Sequence, residues 1–436
     1  MRSPYCKNVI AAVSAAVFMS ALLPVSVSAD ISPNPLISRN CPVYCGNGQG
    51  TAANDEHYFS FWFSNAPDYL AYDLSEVPQE ERSTVVCAWY NATGHYDPSI
   101  LNGGSTNGVP SNYTVEVNAA DGGSYPQDGW EVVDTVTDNT MHSRQHVVDL
   151  EGYNWIRMNI SESDGKAGGS VSIQMDIHDA SEGIADSWIF FGDSITAGGM
   201  MNCYGTGYAT LVNGIDSRYF PIQENGGIGG ILSTDGKKHI DRWLSAFPGE
   251  YISIAYGTND AWGNQTGAET YYENTVYMIE AILKLGKTPV LPTIPYATES
   301  GVSNYLDDYN AMVHKIYEEY PQVVKGPDFY TFLKENPEHL SSDGVHPSSE
   351  GYAAMRQLWA ETMYKAIYTA QTDGPSDLIG DINGDSLLNV PDVILLQKYL
   401  LNLETFDMAA FTKADCSGDG NVNAFDLSIL KRRIFA

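Results

Sequence analysis

The sequence predicts a multidomain protein with an N-terminal all-β sandwich or jelly roll, a central α/β layer domain and a small C-terminal helical module. Three observations predict it. At 436 residues, the chain is longer than one hydrophobic core usually supports. Its apolar periodicity changes near residue 186, from strand-like alternation to short apolar strands that alternate with helices. Near its end, the segment Asp381–Asp392 recurs as Asp415–Asp426, which is an internal repeat.

Composition limits the classes of partner. Hydrophobic residues make up 43% of the chain and aromatic residues 11%, which is ample for packed cores. The formal net charge is −31. Nucleic acids and anionic membrane surfaces favour basic patches, and this acidic chain has none. We therefore expect no nucleic-acid partner and no membrane partner.

Residues 1–29 have the pattern of a signal peptide. Arg2 and Lys7 precede a mostly apolar stretch at 9–27, and a small residue, Ala29, ends the segment. This order of positive, apolar and small-residue regions is typical of a cleaved leader. The alternative is an uncleaved anchor helix, but Pro24 interrupts the stretch. We expect a secreted protein.

The cysteines do not indicate a disulfide framework. Beyond the leader they lie at positions 41, 45, 87, 203 and 416, an odd and sparse set without the paired spacing of a zinc site. Cys41 and Cys45 could close a small loop, and the sequence leaves their disulfide state open.

Residues 30–183 are predicted to form the β domain. Apolar residues at 171, 173, 175 and 177 alternate with polar ones, as expected of a strand with one buried face. Turn-forming clusters separate several such runs, a pattern typical of a sandwich or jelly roll. Some aromatic side chains of this domain could stack on sugars, which would make it a carbohydrate-binding domain, or could belong to its core: Trp62, Trp89, Tyr90 and Trp130.

Residues 184–370 are predicted to form the α/β domain. Ile189-Phe190-Phe191 is a continuous apolar run, typical of a strand buried on both faces of a parallel sheet. Further strands are expected at 251–255 and 289–294, and helices at 269–285, 305–320 and 351–368. This alternation predicts a doubly wound sheet. The polar, turn-forming segment 371–377 is expected to be a linker to residues 378–436.

The repeated segments of the C-terminal module have the spacing of twelve-residue calcium loops. Side-chain oxygens occur at loop positions 1, 3, 5, 9 and 12, and position 7 would offer its backbone carbonyl. The predicted ligands of two structural Ca²⁺ ions are Asp381, Asn383, Asp385, Leu387, Asn389 and Asp392 in the first loop, and Asp415, Ser417, Asp419, Asn421, Asn423 and Asp426 in the second.

Residues 378–436 resemble a type I-like dockerin, the paired calcium-loop module that attaches enzymes to cellulosomal scaffoldins. The resemblance implies that a cohesin of a scaffoldin is the partner. The first loop departs from the pattern, because Ser386 stands where glycine is usual. Loop positions 10 and 11 are Val390-Pro391 and Ala424-Phe425 instead of the common Ser-Thr pair, so cohesin specificity stays open.

Four short blocks of the α/β domain carry candidate catalytic residues. They are Gly192-Asp-Ser-Ile-Thr196, Asn225-Gly-Gly-Ile-Gly-Gly230, Gly257-Thr-Asn-Asp260 and Asp343-Gly-Val-His-Pro347. In this order they resemble the blocks of the SGNH, or GDSL-type, hydrolases, a flavodoxin-like family of esterases and lipases. The resemblance covers roughly residues 186–368.

Ester cleavage needs a nucleophile, a base, a group that orients the base, and donors for the oxyanion. The resemblance assigns these roles to Ser194, His346 and Asp343, with the oxyanion donors on Ser194, Gly227 and Asn259. No cofactor is expected for this chemistry. The alternatives are a helix cap at Ser194 and ordinary turn residues at Asn259 and Asp343. Trp262, near the site, could be a sugar platform or a packing residue.

Together the two resemblances predict a secreted, cellulosomal esterase that removes acetyl groups from plant cell-wall polysaccharide, with xylan favoured. The enzymatic alternatives are a pectin or rhamnogalacturonan acetylesterase and a feruloyl esterase. A non-catalytic carbohydrate-binding component is the alternative of another class. A sandwich ahead of an SGNH domain is also similar to a group of acetyl-xylan esterases that often lack the catalytic acid, whereas Asp343 is present here.

Overall fold

The structure is a computed structural model that describes residues 31, 33–55, 60–91, 108–165, 167–200, 206–369, 379–383, 390–406, 408–417 and 420–435. The predicted leader and linker lie outside these residues, and so do Cys203 and four predicted calcium ligands, Asp385, Leu387, Asn389 and Asp419.

The N-terminal region contains two antiparallel sheets. Their strands, in chain order, are β1 (Val43–Cys45), β2 (Trp62–Asn65), β3 (Asp68–Asp73), β4 (Thr84–Asn91), β5 (Pro110–Asn118), β6 (Glu131–Val136), β7 (Ser143–Asp149), β8 (Trp155–Ser163) and β9 (Ser170–Asp179). One sheet has the order β1-β3-β8-β5-β6 and the other β2-β9-β4-β7. Short 3₁₀ helices lie at Gly50–Ala53, Gln79–Glu81 and Ala167–Gly169.

A shared hydrophobic core lies between the two sheets, so the region is a sandwich. The apolar residues of β9, from Val171 to Ile177, pack in one cluster with Leu70 and Ile156 of the other sheet. The expectation of one buried face for β9 is wrong. Its polar residues are buried as well, because the preceding chain covers them: the Gln174 side chain donates to the Ala52 carbonyl, 3.0 Å away.

The aromatic residues that could have bound sugars lie mostly in this core. Trp62 and Trp89 are fully buried, and Tyr90 is 4% exposed. These three cannot present a ring face to a glycan. Trp130 is partly exposed, and the Arg157 guanidinium lies over its ring, 4.1 Å from the ring centroid.

The central region has a five-stranded parallel sheet between helices. Its elements are β10 (Ser187–Gly192), α1 (Ser194–Gly199), α2 (Tyr208–Ile215), β11 (Ile222–Gly227), α3 (Ser233–Leu244), β12 (Tyr251–Ala255), α4 (Thr258–Ala261), α5 (Ala268–Lys284), β13 (Thr288–Leu291), α6 (Ser300–Ser303), α7 (Leu306–Glu319), β14 (Val324–Lys325), α8 (Phe329–Glu335) and α9 (Ser349–Met363). There are 3₁₀ helices at Trp262–Asn264 and Pro337–His339, and a π-helical segment at Tyr364–Tyr368.

The strand order β11-β10-β12-β13-β14 is the flavodoxin-like order 2-1-3-4-5. The continuous apolar run of β10 is explained by the two layers of helices. Ile189 and Phe191 belong to the hydrophobic cluster of one layer, whereas Trp188 and Phe190 belong to that of the other. The doubly wound sheet predicted from the sequence is therefore present.

The sandwich packs directly on the parallel sheet. Val86, Ala88 and Ala180 form a small apolar cluster with Ile222 of β11, the edge strand of that sheet. The Ser187 hydroxyl donates to the side-chain oxygen of Gln145, at 2.9 Å, across the same contact.

In the C-terminal region, the described residues form the helices α10 (Val390–Leu400), α11 (Met408–Ala414) and α12 (Ala424–Phe435). Its own small core includes Val393, Leu396 and Leu430. Among the described cysteines, Cys41, Cys45, Cys87 and Cys416 are free thiols. Within the described ranges, no helix combines the length and the apolar character that crossing a membrane requires.

Candidate active site

The site lies where the central strands of the parallel sheet end. Gly192, the last residue of β10, pairs with Gly227 of β11 and with Ala255 of β12, so the carboxyl ends of the three strands are level. Ser194 opens α1 after β10, and Asn259 lies in α4 after β12. Ligands of open α/β sheets bind at this position, where the strand order reverses.

Ser194, His346 and Asp343 form one chain of hydrogen bonds. The Ser194 Oγ is 2.8 Å from Nε2 of His346, and Nδ1 of His346 is 2.7 Å from Oδ2 of Asp343. The side chains of His346 and Asp343 are 39% and 50% exposed, so a substrate can reach this chain from solvent. The arrangement provides a hydroxyl, a base within hydrogen-bond reach and a carboxylate that orients the base.

The local turn keeps Asp343 ionised. Partial burial alone would raise its pKa, but hydrogen bonds outweigh that effect and hold the pKa well below its usual range. Its Oδ1 accepts from the amides of Val345 and His346, at 2.8 and 2.9 Å, and from the Ser341 hydroxyl, at 2.8 Å. A permanent carboxylate fixes one tautomer of the His346 ring, with the proton on Nδ1.

Asp193 fixes the start of α1. Its side chain is 2% exposed, and Oδ1 accepts from the Ile195 amide at 2.9 Å, which caps the helix that begins at Ser194. Burial raises the pKa of Asp193 to about 7. The buried carboxyl group of Asp193 therefore fixes the backbone at Ser194, the candidate nucleophile.

Gly227 does not fit the oxyanion role that the resemblance gave it. Its amide donates to the side-chain oxygen of Asn225, 3.0 Å away, within the buried end of β11. A Cβ at this position would lie 2.3 Å from the amide nitrogen of Ala197 in α1. Glycine is needed here because strand and helix approach so closely, rather than because a substrate approaches.

Asn259 meets the turn that follows Gly227. Its Nδ2 donates to the carbonyl of Ile231, 2.9 Å away, which leaves the second hydrogen of the amide for another acceptor. In the same turn, Gly230 is exposed and has a φ of +75°. Because Gly230 is exposed and the Gly227 amide already has an acceptor, Gly230 is a better candidate than Gly227 for the second oxyanion donor.

Asp260 stabilises the same turn through hydrogen bonds. It is fully buried, and its carboxylate accepts from the amide of Ser233, at 2.9 Å, and from the Ser233 hydroxyl. Burial raises its pKa, and the bonds from Ser233 oppose that shift. Asp260 ends one of the four sequence blocks, whereas Ser233 lies outside them. Ser233 is the first residue of α3, and no sequence pattern indicates that it meets Asp260.

The C-terminal loops show matching contacts in the two repeats. Oδ1 of Asp392 accepts from the Asn383 amide, at 3.2 Å, and Oδ1 of Asp426 accepts from the Ser417 amide, at 2.9 Å. Asp381, Asp392 and Asp426 are fully buried. No three His, Cys, Asp or Glu side chains converge on a metal site within the described part of the chain, and that part omits Asp385 and Asp419.

The parallel sheet, the hydrogen-bonded chain of Ser194, His346 and Asp343, and the adjacent amide donors define the class: a hydrolase equipped for nucleophilic cleavage of carboxylic esters. Comparison with known proteins makes this more specific. Residues 190–354 match the GDSL-like Lipase/Acylhydrolase family, and residues 379–435 match the Dockerin type I domain. The chain thus contains a GDSL-like acylhydrolase domain followed by a type I dockerin domain.

Two curated relatives are esterases. The chain is 26% identical over 225 residues to a multidomain esterase of Ruminococcus flavefaciens, a match that covers 46% of this chain and 28% of the relative. It is 29% identical over 205 residues to an acetylxylan esterase of Geobacillus stearothermophilus, covering 41% of this chain and 93% of the relative. Among solved structures, an acetyl xylan esterase is similar with 24% identity and a TM-score of 0.34, covering 42% of this chain and 99% of that one.

Proposed function

We propose that this protein is a secreted carbohydrate esterase that removes acetyl groups from plant cell-wall polysaccharide, with xylan as the favoured substrate. The observation that carries the proposal is the unbroken chain from Ser194 Oγ through His346 to Asp343. The name of the acetylxylan esterase supports the substrate class, and that of the multidomain esterase supports ester cleavage.

In the first half of the reaction, Ser194 Oγ attacks the acetyl carbonyl, and its proton passes to Nε2 of His346. The resulting tetrahedral intermediate carries a negative charge on the former carbonyl oxygen. When the carbon–oxygen bond to the sugar breaks, His346 gives the proton to the departing sugar hydroxyl. The products of this half are the free sugar and an acetyl ester on Ser194.

In the second half, a water molecule repeats the sequence. His346 takes a proton from the water as its oxygen attacks the acetyl–serine ester, and then returns a proton to Ser194 as acetate leaves. Asp343 stays ionised throughout and stabilises the protonated ring of His346. The oxyanion of each intermediate is bound by the Ser194 amide, the Asn259 side chain and the amide of Gly230.

The C-terminal module is proposed to hold two calcium ions and to bind a cohesin of a scaffoldin. The predicted donors are all oxygens, as Ca²⁺ prefers. The buried carboxylates of Asp381, Asp392 and Asp426 would be stabilised by positive charge beyond that of the Lys413 ammonium, which lies 3.4 Å from Asp381. Bound calcium would supply that charge and so couple metal binding to folding of the two loops. The protein would then be a catalytic component of a cellulosome.

A substrate panel tests the proposal. Purified protein is offered acetylated xylan, acetylated glucomannan, acetylated pectin and a feruloylated arabinoxylan, and released acetate or ferulate is measured. We expect the highest rate of acetate release from xylan, and no release from any substrate by Ser194→Ala. A higher rate on acetylated pectin, or release of ferulate alone, would show that acetylated xylan is not the preferred substrate. No release by the wild type would favour the non-catalytic binding component.

A further inference from the structure

We propose that Trp262 is a specificity-determining residue whose indole stacks on the sugar ring that carries the ester. This inference rests on the proposed function, since it names the group by which the same site would recognise an acetylated sugar rather than any acetyl ester.

Trp262 has the largest exposed fraction of the eight tryptophans in this protein. Six of the eight tryptophans are at most 4% exposed, Trp130 is partly buried under Arg157, and Trp262 is 43% exposed. An exposed indole loses the free energy that burial of its large apolar surface would contribute. A single exposed aromatic side chain is common on protein surfaces, so the position of Trp262 in the fold carries the argument.

Its position is at the edge of the candidate active site. Trp262 follows α4 directly, three residues after Asn259. On its other side it packs against α6, because a Cβ on Gly301 would lie 3.3 Å from the indole Nε1. The residues before α6 contact the catalytic turn: the amide of Thr298 donates to the carbonyl of Gly344, at 2.8 Å. Trp262 is therefore linked by short stretches of chain to Asn259 on one side and, through α6, to the turn of Asp343 on the other.

The loop that carries Trp262 is fixed in an unusual backbone conformation. Gly263 and Asn264 have φ values of +62° and +55°. For a non-glycine residue this left-handed conformation is costly, and such residues occur often at functional sites. Here the strain serves to turn the chain immediately after the exposed indole.

Three hydrogen bonds hold this loop in place. The Tyr309 hydroxyl accepts from the Gly267 amide and donates to the Asp260 carbonyl, both at 2.8 Å. The Gln265 side chain donates to the carbonyl of Asn259, at 3.0 Å. The indole is thus part of the same rigid unit as the oxyanion donor, so a group that stacks on it is placed at a fixed distance from the reacting carbon.

The chemistry of an indole suits a sugar ring. One face of a pyranose presents several C–H bonds, which are slightly positive at hydrogen, and the face of an aromatic ring is negative. A small acyl group such as acetyl offers little surface for recognition, so the sugar must provide most of the selective contact. A flat platform fixed beside the site can bind that sugar without a deep pocket.

The test compares two substrates and three variants. Trp262→Ala and Trp262→Phe are assayed on acetylated xylo-oligosaccharide and on 4-nitrophenyl acetate, which has no sugar. Tyr277→Ala is the matched control, because Tyr277 is an aromatic residue that is 40% exposed on α5. We expect Trp262→Ala to lower kcat/KM for the oligosaccharide by roughly 10- to 100-fold, mainly through KM. Activity on 4-nitrophenyl acetate should stay within about twofold of wild type.

The conservative variant and a binding measurement complete the test. Trp262→Phe keeps a ring face and should retain most activity on the oligosaccharide. In a Ser194→Ala background, which binds without turnover, adding Trp262→Ala should weaken the Kd for the oligosaccharide by roughly tenfold or more.

Several outcomes would overturn the inference, and they separate it from the proposed function. If wild type cleaves the oligosaccharide and Trp262→Ala cleaves it equally well, only the role of Trp262 fails. Equal losses on both substrates would make Trp262 a support for Asn259 rather than a sugar platform. A wild type that cleaves 4-nitrophenyl acetate but no acetylated sugar would overturn the proposed substrate and the role of Trp262 together.

Discussion

The catalytic turn and the C-terminal loops both depend on aspartate carboxylates, but they stabilise them differently. Asp343 is half exposed, and its charge is met by two backbone amides, a hydroxyl and the ring of His346. In the C-terminal loops, Asp381, Asp392 and Asp426 are fully buried within a short stretch of chain. The first region has one carboxylate at the surface, whereas the second gathers three buried ones, and there the chain supplies the Lys413 ammonium, 3.4 Å from Asp381, and backbone amides to Asp392 and Asp426. A bound cation would add further positive charge to the second region.

The difference teaches how each region depends on conditions. A site organised by amides and a histidine needs correct folding only. The folded fraction of loops that bind a cation depends on the concentration of that cation. The two regions should therefore respond independently to mutation and to chelation, and the following experiments test that separation from the largest expected effect to the smallest.

The largest effect is expected from removing the nucleophile or the base. Ser194→Ala and His346→Ala should each lower kcat by roughly 10⁴-fold or more, and the double variant should be barely slower than either single one, because the residues act as a unit. Hydrolysis of 4-nitrophenyl acetate measures this. Cohesin binding by each variant in calcium is the control and should equal that of wild type. Substantial activity in the serine variant would refute the mechanism.

Chelation should have the opposite pattern of effects. With excess EGTA, the full-length protein should lose cohesin binding, and the region 378–436 should become sensitive to protease, because the clustered aspartates repel one another when no cation is bound between them. Turnover of soluble esters should be unchanged. Restoring Ca²⁺ should restore binding. Cohesin binding that persists in chelator would contradict the two-loop assignment, and a loss of ester turnover would indicate a metal in the catalytic domain.

A smaller effect is expected from the oxyanion side. Asn259→Ala removes a donor to the developing charge and should lower kcat by roughly 100- to 1,000-fold with little change in KM. Asp260→Asn should act indirectly, by loosening the Ser233 contact that holds the turn, and should cost less. An Asn259→Ala variant that changed KM alone would show that Asn259 binds substrate or supports the fold instead.

The smallest effect is expected from a buried carboxyl group that is stabilised by staying protonated. Glu224 of β11 is 3% exposed at the contact with the sandwich, and burial raises its pKa to about 8, with Gln145 and Arg144 opposing the shift only in part. The folded protein keeps this proton up to about pH 8, whereas the unfolded chain loses it near pH 4–5. Stability should therefore fall as pH rises through that window.

Glu224→Gln tests this by removing the titration while keeping the shape. We expect Tm to rise by roughly 5 °C at pH 8.5 and to change little at pH 5. Exposed Glu151→Gln is the control and should shift Tm at neither pH. An equal shift at both values of pH would indicate a packing effect instead of a charge effect.

Local pattern was enough to predict features that depend on neighbours in sequence. The continuous apolar run of β10 predicted a strand buried on both faces. The resemblance carried by the four blocks named Ser194, His346 and Asp343 together, and their side chains lie in one hydrogen-bonded chain. The sequence did not predict features that depend on which other parts of the chain pack on a helix or strand. The polar face of β9 is buried by chain from over a hundred residues earlier, and Gly227 serves helix packing because α1 lies against β11. Neither contact leaves a periodic signal in the sequence.

The packing of the sandwich on β11 bears on how this protein can be divided. An uncovered edge strand offers unpaired backbone groups to other chains, and here Val86, Ala88 and Ala180 shield that edge together with Ile222. Separating the two domains near residue 184 would expose the apolar contact surface at β11 and promote aggregation of the catalytic domain. Anyone building chimeric enzymes from this protein should therefore move residues 30–370 as one cassette and exchange only the module at 378–436.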